Sequence, residues 1–131
     1  MMREWTTKEI GDFGERCAVH YLRRHGYTVK ERNWRAGKAE LDIIATTLFD
    51  VAFVEVKTRS YTADEWKTAP PPSLAVHAEK QRLTRYAAGQ YLKAHPTRKR
   101  PRMDVIEVWL EKTDTAKKPR VLKIHHMKAA Y

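Results

Sequence analysis

Two neighbouring stretches carry acids and an amine at spacings that suit metal-assisted hydrolysis. Ala39–Ile44 reads AELDII, with Glu40 and Asp42, and Val51–Lys57 reads VAFVEVK, ending Glu55-Val56-Lys57. In an extended chain alternate side chains share a face. Glu55 and Lys57 therefore point one way, and Glu40 and Asp42 share a side. If the two stretches pair as a hairpin with Asp42 opposite residue 53, 55 or 57, three acids and one amine meet on one patch. Patches of that kind seat hard divalent cations such as Mg²⁺ or Mn²⁺. The reaction that gains is phosphodiester hydrolysis, where the anionic substrate repels a nucleophile and an ion lowers the pKa of a water and stabilises developing charge. Asp42, Glu55 and the backbone carbonyl of Val56 are candidate metal ligands, and Lys57 is the group that would hold the water or neutralise a phosphate oxygen. Acid-x-lysine triplets also mark ordinary strand edges, where charge discourages aggregation. Here Val51 and Phe53 lie on the same face, so the charges end an apolar surface and need a neutralising partner.

Several elements must position these groups. A helix is expected from Thr6 or Thr7 to His25, stopped by Gly26, with Ile10, Phe13, Gly14, Cys17, Ala18, Tyr21 and Leu22 as its buried stripe. Gly11 and Gly14 weaken that helix and suggest close approach of another backbone. Glu15 sits beside the stripe, where it reaches the helix edge or simply faces water. Tyr27–Trp34 reads as a first strand, followed by the basic connection Arg35-Ala36-Gly37-Lys38. Beyond the hairpin, Ser60–Pro72 is expected to be an irregular loop leaving from the Lys57 end, with Tyr61 or Trp66 either stacking on an unpaired base or anchoring the loop. A second helix is expected from Ser73 to about Ala94, buried through Val76, Leu83, Ala87 and Tyr91, and basic through Lys80, Arg82 and Arg85. Arg98–Arg102 is the densest positive run, suited to phosphates or to a solvated connection. Met103–Leu110 and Val121–Met127 alternate as strands, which sets His125 and His126 on opposite faces. The order helix, strands, helix, strands predicts an α/β fold with a mixed sheet flanked by helices.

Composition narrows the partners. The chain has 131 residues, enough for one domain over 1–131 and little room for a second. Lysine and arginine total 26 against 16 acids, a net charge of +10, which favours a polyanion and above all nucleic acid. The single cysteine, Cys17, excludes an internal disulfide and fits a reducing cytosol. No apolar run is long enough to cross a membrane and the first residues lack the apolar stretch of a signal peptide, so a cytoplasmic protein with no membrane partner is expected.

The stretches GDFGERCAVHYLRRHGY, NWRAGKAELDIIA, FVEVKTR and RMDVIEV, with Lys80 between the last two, occur in an order that resembles the YraN-like family of small bacterial proteins. Behind that family stands the restriction-endonuclease-like superfamily that includes archaeal Holliday-junction resolvases. The resemblance implies a PD-(D/E)xK core, with the first-strand acid at Asp42 and the acid-x-lysine element at Glu55 and Lys57. A further helix glutamate of resolvase-like members falls on Glu15, which joins the metal ligands. Glu40 and Lys80 match an acid and a lysine of the family. The chain departs from the pattern in Lys38-Ala39, where a glycine directly before the glutamate is usual, and in its Pro-rich loop.

The resemblance thus implies a DNA endonuclease dependent on Mg²⁺ or Mn²⁺, catalysed by Glu15, Asp42, Glu55 and Lys57. Arg35, Lys38, Arg59, Lys80 and Arg82 would hold the nucleic-acid backbone. Resolvase-like relatives often pair, so by analogy a homodimer is an expected assembly. The competing classes are a non-catalytic nucleic-acid-binding protein on the same fold and a protein-interaction scaffold.

Overall fold

The computed structural model describes residues 3–62, 64–70, 77–113 and 117–131. Helix α1 (Thr7–Arg24) begins at a complete capping box: the Thr6 hydroxyl accepts the Glu9 amide at 3.1 Å, and the Glu9 carboxylate accepts the Thr6 amide at 2.9 Å. It ends at His25, and Gly26 takes the left-handed φ of +85° that turns the chain into the sheet. Three antiparallel strands follow, β1 (Thr28–Ala36), β2 (Ala39–Thr46) and β3 (Asp50–Tyr61). Helix α2 (Ala78–Ala94) then crosses to β4 (Arg100–Glu111), which lies parallel to β3, and β5 (Val121–Met127) closes the sheet antiparallel to β4. The strand order β1-β2-β3-β4-β5 gives a mixed sheet in an α/β fold, as the element order predicts.

One helix covers each face. Ala18, Val19 and Leu22 of α1 pack with Ile43, Ala45, Ala52, Val54, Ile106, Val108 and Leu110. Ala87, Ala88 and Tyr91 of α2 pack on the other face with Leu41, Ile44, Val51 and Phe53. Each fully buried Leu or Ile contributes about 2 kcal/mol by leaving water, so the two clusters hold the sheet between the helices. The half-buried Cys17 packs against the α1 cluster, and burial pushes its thiol upward in pKa.

Several boundaries move. The strand β3 runs to Tyr61, past Lys57, and the Tyr61 ring is buried with its hydroxyl donating to the Pro70 carbonyl at 3.0 Å. Tyr61 is therefore unavailable to stack on a base. The helix expected from Ser73 is described from Ala78; Val76 and Pro71–Pro72 lie outside the described residues. The strand β4 starts inside the basic run, where Arg100 and Arg102 both pair with Asp50 at 3.1 Å. Arg102 also grips the fully buried Asp104 at 2.8 Å, so this member of the run serves the interior and not a phosphate backbone.

Candidate functional site

The site forms where the β2–β3 ladder opens. Ile44 pairs with Phe53 and Ile43 with Val54, a register that brings Asp42 level with Glu55. In place of a strand partner, the Val56 amide donates to Asp42 Oδ2 at 2.8 Å. The carboxylate therefore satisfies a backbone donor that the parting strands leave without a carbonyl.

Regular alternation does not survive at this point. Leu41 and Ile44 both pack under α2, whereas Ile43 and Ala45 pack under α1, so β2 slips phase at Asp42. The facing strand slips at the same level: Asn33, between the pairs Arg32–Ile43 and Trp34–Leu41, has a left-handed φ of 52°. Glu40 consequently leaves the acid row, and its carboxylate pairs with Arg35, its direct neighbour on β1, at 2.9 Å.

Glu55 is the most confined member, with 4% of its side chain exposed. Its Oε1 lies 3.4 Å from the Lys57 amine and 3.5 Å from the Lys80 amine of α2. Its Oε2 is buried without a hydrogen-bond partner among the described residues. An orphaned carboxylate oxygen is costly in an apolar setting. Burial, and after it the charge of Glu55, push Asp42 up to about 7, against the Val56 amide and Lys80, which favour its ionised form.

Glu15 approaches from α1. The helix comes close because Gly14 lies against Thr58 of β3: a Cβ at position 14 would fall 1.8 Å from the Thr58 hydroxyl. Glu15 Oε1 accepts from Arg32 at 3.3 Å and Asn33 at 3.1 Å, and burial raises its pKa. Its charge adds to the pressure on Asp42, yet among the described residues no three His, Cys, Asp or Glu side chains converge as an ion cage. Asp42, Glu55, Lys57 and Lys80 come together, with Glu15 at the margin.

The basic residues assigned to the backbone of a nucleic acid are spread more widely. Lys38 stands in the exposed β1–β2 turn beside Gly37, and Arg59 is exposed on β3. Arg35 holds Glu40, and Arg82 forks onto Glu79 on the exposed side of α2 at 2.8 Å. His125 pairs with Glu107 and His126 with Asp104, on opposite faces as expected. A cavity of about 350 Å³ lies elsewhere, between Trp5, Ile10 and the ends of β3 and β4, and no predicted site residue lines it.

Sequence reasoning missed Tyr131. Its phenol meets the Thr84 hydroxyl on α2 at 2.5 Å, and burial together with Glu55 and Asp42 raises its pKa. The local sequence of the tail holds no periodic signal that could have placed it there.

The profile of the uncharacterised protein family UPF0102 matches residues 14–108, which span every residue of the site except Tyr131. The chain belongs to the UPF0102 family. Among its UPF0102 relatives is a protein of Bacteroides thetaiotaomicron, 38% identical over 94% of this chain and 92% of its own length. A UPF0102 protein of Alkaliphilus oremlandii is 39% identical over 95% of this chain and 98% of its own. One from Myxococcus xanthus is 44% identical over 77% of each.

Proposed function

We propose that this UPF0102 protein is a divalent-metal-dependent endonuclease with a restriction-endonuclease-like, PD-(D/E)xK core, hydrolysing phosphodiester bonds of DNA, including branched or junction DNA. The observation that carries this is the pairing of a half-buried Asp42 with a buried Glu55, level across parting strands, with Lys57 and Lys80 beside them.

The donor set fits Mg²⁺ or Mn²⁺. Both carboxylates are hard oxygen donors, Glu55 Oε2 lacks a partner among the described residues, and burial with the charge of Glu55 holds Asp42 reluctant to ionise, a cost that a bound cation would offset. Mg²⁺ is commonly held by one or two carboxylates plus water and phosphate oxygens, so a cage of three acids is not required. Asp42, Glu55 and the Val56 carbonyl would hold the ion, with Glu15 reaching its waters. When bound, it would supply a water of lowered pKa and a counter-charge for the phosphate. Lys57 would orient the nucleophile or neutralise a non-bridging oxygen. Lys80 would balance the charge of Glu55 in competition with the ion, and Arg35, Lys38, Arg59 and Arg82 would track the backbone without reading sequence.

A second function has its own support. Two amines already lie against Glu55 Oε1, so the patch is partly neutralised from within. A non-catalytic nucleic-acid-binding protein would need no more than that. The test is cleavage of branched, flapped and linear DNA in Mg²⁺ or Mn²⁺ by the wild type, Asp42→Asn and Glu55→Gln. Cleavage lost in both variants supports the enzyme. Equal cleavage in all three preparations would exclude it, and metal-independent binding without cleavage would favour the binder.

A further inference from the structure

The chain after β5 is fastened to β4 through the buried Asp104 and the Met103 carbonyl. Asp104 has no exposed surface, yet it accepts two bonds from Arg102 at 2.8 Å, pairs with His126 at 2.7 Å and accepts the Ala129 amide at 3.0 Å. Against the cost of burial, those bonds hold Asp104 down at about 2, and the Tyr27 phenol accepts a further bond from Arg102 at 2.6 Å. Ala129 takes a left-handed φ of 50°, a conformation that a residue with a Cβ adopts only when its surroundings impose it. The Ala130 amide then donates to the Met103 carbonyl at 2.7 Å. Together these contacts turn the chain and bring Tyr131 onto α2.

There the phenol lies 2.5 Å from Thr84 Oγ1, and the Arg85 guanidinium sits over the ring, 5.3 Å from its centroid. The Thr84 hydroxyl is within 3.0 Å of the carbonyls of Lys80 and Gln81, so it donates back into the first turns of α2 and accepts from the phenol. Lys80 carries its amine to Glu55. Helix α1 fixes its own start with a capping box, whereas among the described residues no side chain caps α2 at His77. The Tyr131–Thr84 contact bears on the first turns of α2 through the Lys80 and Gln81 carbonyls.

We infer that Tyr131 is a positioning residue of the carboxylate site: by fastening Thr84 it sets the first turns of α2 so that Lys80 bears on Glu55. This rests on the proposed metal-binding role of Glu55 for its functional meaning, though not for the mechanical link itself. The buried Arg102–Asp104–His126 group is the anchor at the far end of the same link.

Two measurements separate the link from the metal chemistry. In metal-free protein, the ¹³C shift of the Glu55 carboxyl at fixed pH reports the Lys80 amine directly. Tyr131→Phe and Thr84→Val should move it in the direction of Lys80→Met, whereas Thr84→Ser, which keeps the hydroxyl, should leave it in place. Melting temperatures of Tyr131→Phe and Thr84→Ser should stay near that of the wild type, since ring and packing are retained. An unmoved Glu55 signal in Tyr131→Phe would overturn the inference. In Mn²⁺ titrations, Lys80→Met removes a competing cation and should tighten binding, and Tyr131→Phe should shift affinity the same way by about threefold, adding nothing in the Lys80→Met background. Additive effects of the two substitutions would likewise overturn it. A wild type that binds no Mn²⁺ would instead defeat the metal site, leaving the carboxyl signal to judge the link.

Discussion

Asp42 must ionise in a place that favours its proton. Burial and the charge of Glu55 raise it from the ordinary aspartate range to about 7. The folded state therefore binds that proton more tightly than the unfolded chain does. Its ionisation weighs against folding as pH rises from near the unfolded aspartate value through about 7, and fully above that. In metal-free protein, Asp42→Asn should remove this penalty while its side-chain oxygen still accepts the Val56 amide. Thermal melts followed by circular dichroism should show Asp42→Asn more stable than the wild type at pH 8, by on the order of 2 kcal/mol, and by less at pH 5. A gain that is equal at both pH values would contradict the assigned environment. Asp104 is the opposite case. It is held at about 2 by Arg102, His126 and the Ala129 amide despite full burial, so its contribution is present above the unfolded aspartate value and lost as pH falls through the folded one. Replacing Asp104 with Asn takes from Arg102 one of its two carboxylates, and from His126 its charged partner, and should lower unfolding free energy in urea by about 3 kcal/mol.

The glycines of α1 show how an element serves the site. Gly14 has no room for a methyl group against Thr58, whereas a Cβ at Gly11 meets nothing within 4 Å. Gly14→Ala should therefore cost about 1–3 kcal/mol by forcing α1 off β3, and it should displace Glu15. Gly11→Ala should stabilise by up to about 1 kcal/mol through helix propensity alone. Urea unfolding of the two variants checks both signs. The same pair shows what was legible in the sequence. Periodicity located both helices and all five strands, because burial of one face imposes repeats of 3.6 or 2. It put Asp42, Glu55 and Lys57 on one patch only for a register it left open between residues 53, 55 and 57, and it counted there Glu40, which instead pairs with Arg35. It could not tell that only Gly14 meets a neighbour, since both glycines weaken a helix alike. It missed the phase slip at Asp42, which depends on the left-handed Asn33 across the ladder, and it left Arg100 and Arg102 outside β4 because their neutralising partner, Asp50, is distant in sequence.

At the scale of the whole molecule, the net charge of +10 is unevenly used. Arg102 is spent on the interior, while Lys38 and Arg59 stay exposed. If a nucleic acid is the partner, its affinity should fall steeply between 50 and 200 mM salt, and removing Lys38 or Arg59 should each reduce the logarithmic salt slope by about one. Fluorescence anisotropy with labelled duplex checks this, and a flat salt response would leave the scaffold role standing. Light scattering at rising concentration tests the expected homodimer. The parallel β3–β4 ladder is the seam between an antiparallel β1–β2–β3 part and an antiparallel β4–β5 part, and Tyr131, arriving from the far side, clasps the helix that packs on the near side. The clasp thus ties the β4–β5 part to the helix that packs on β2 and β3. Amide exchange in α2 and in β5 should consequently report one shared opening free energy, and Tyr131→Ala should split it into two.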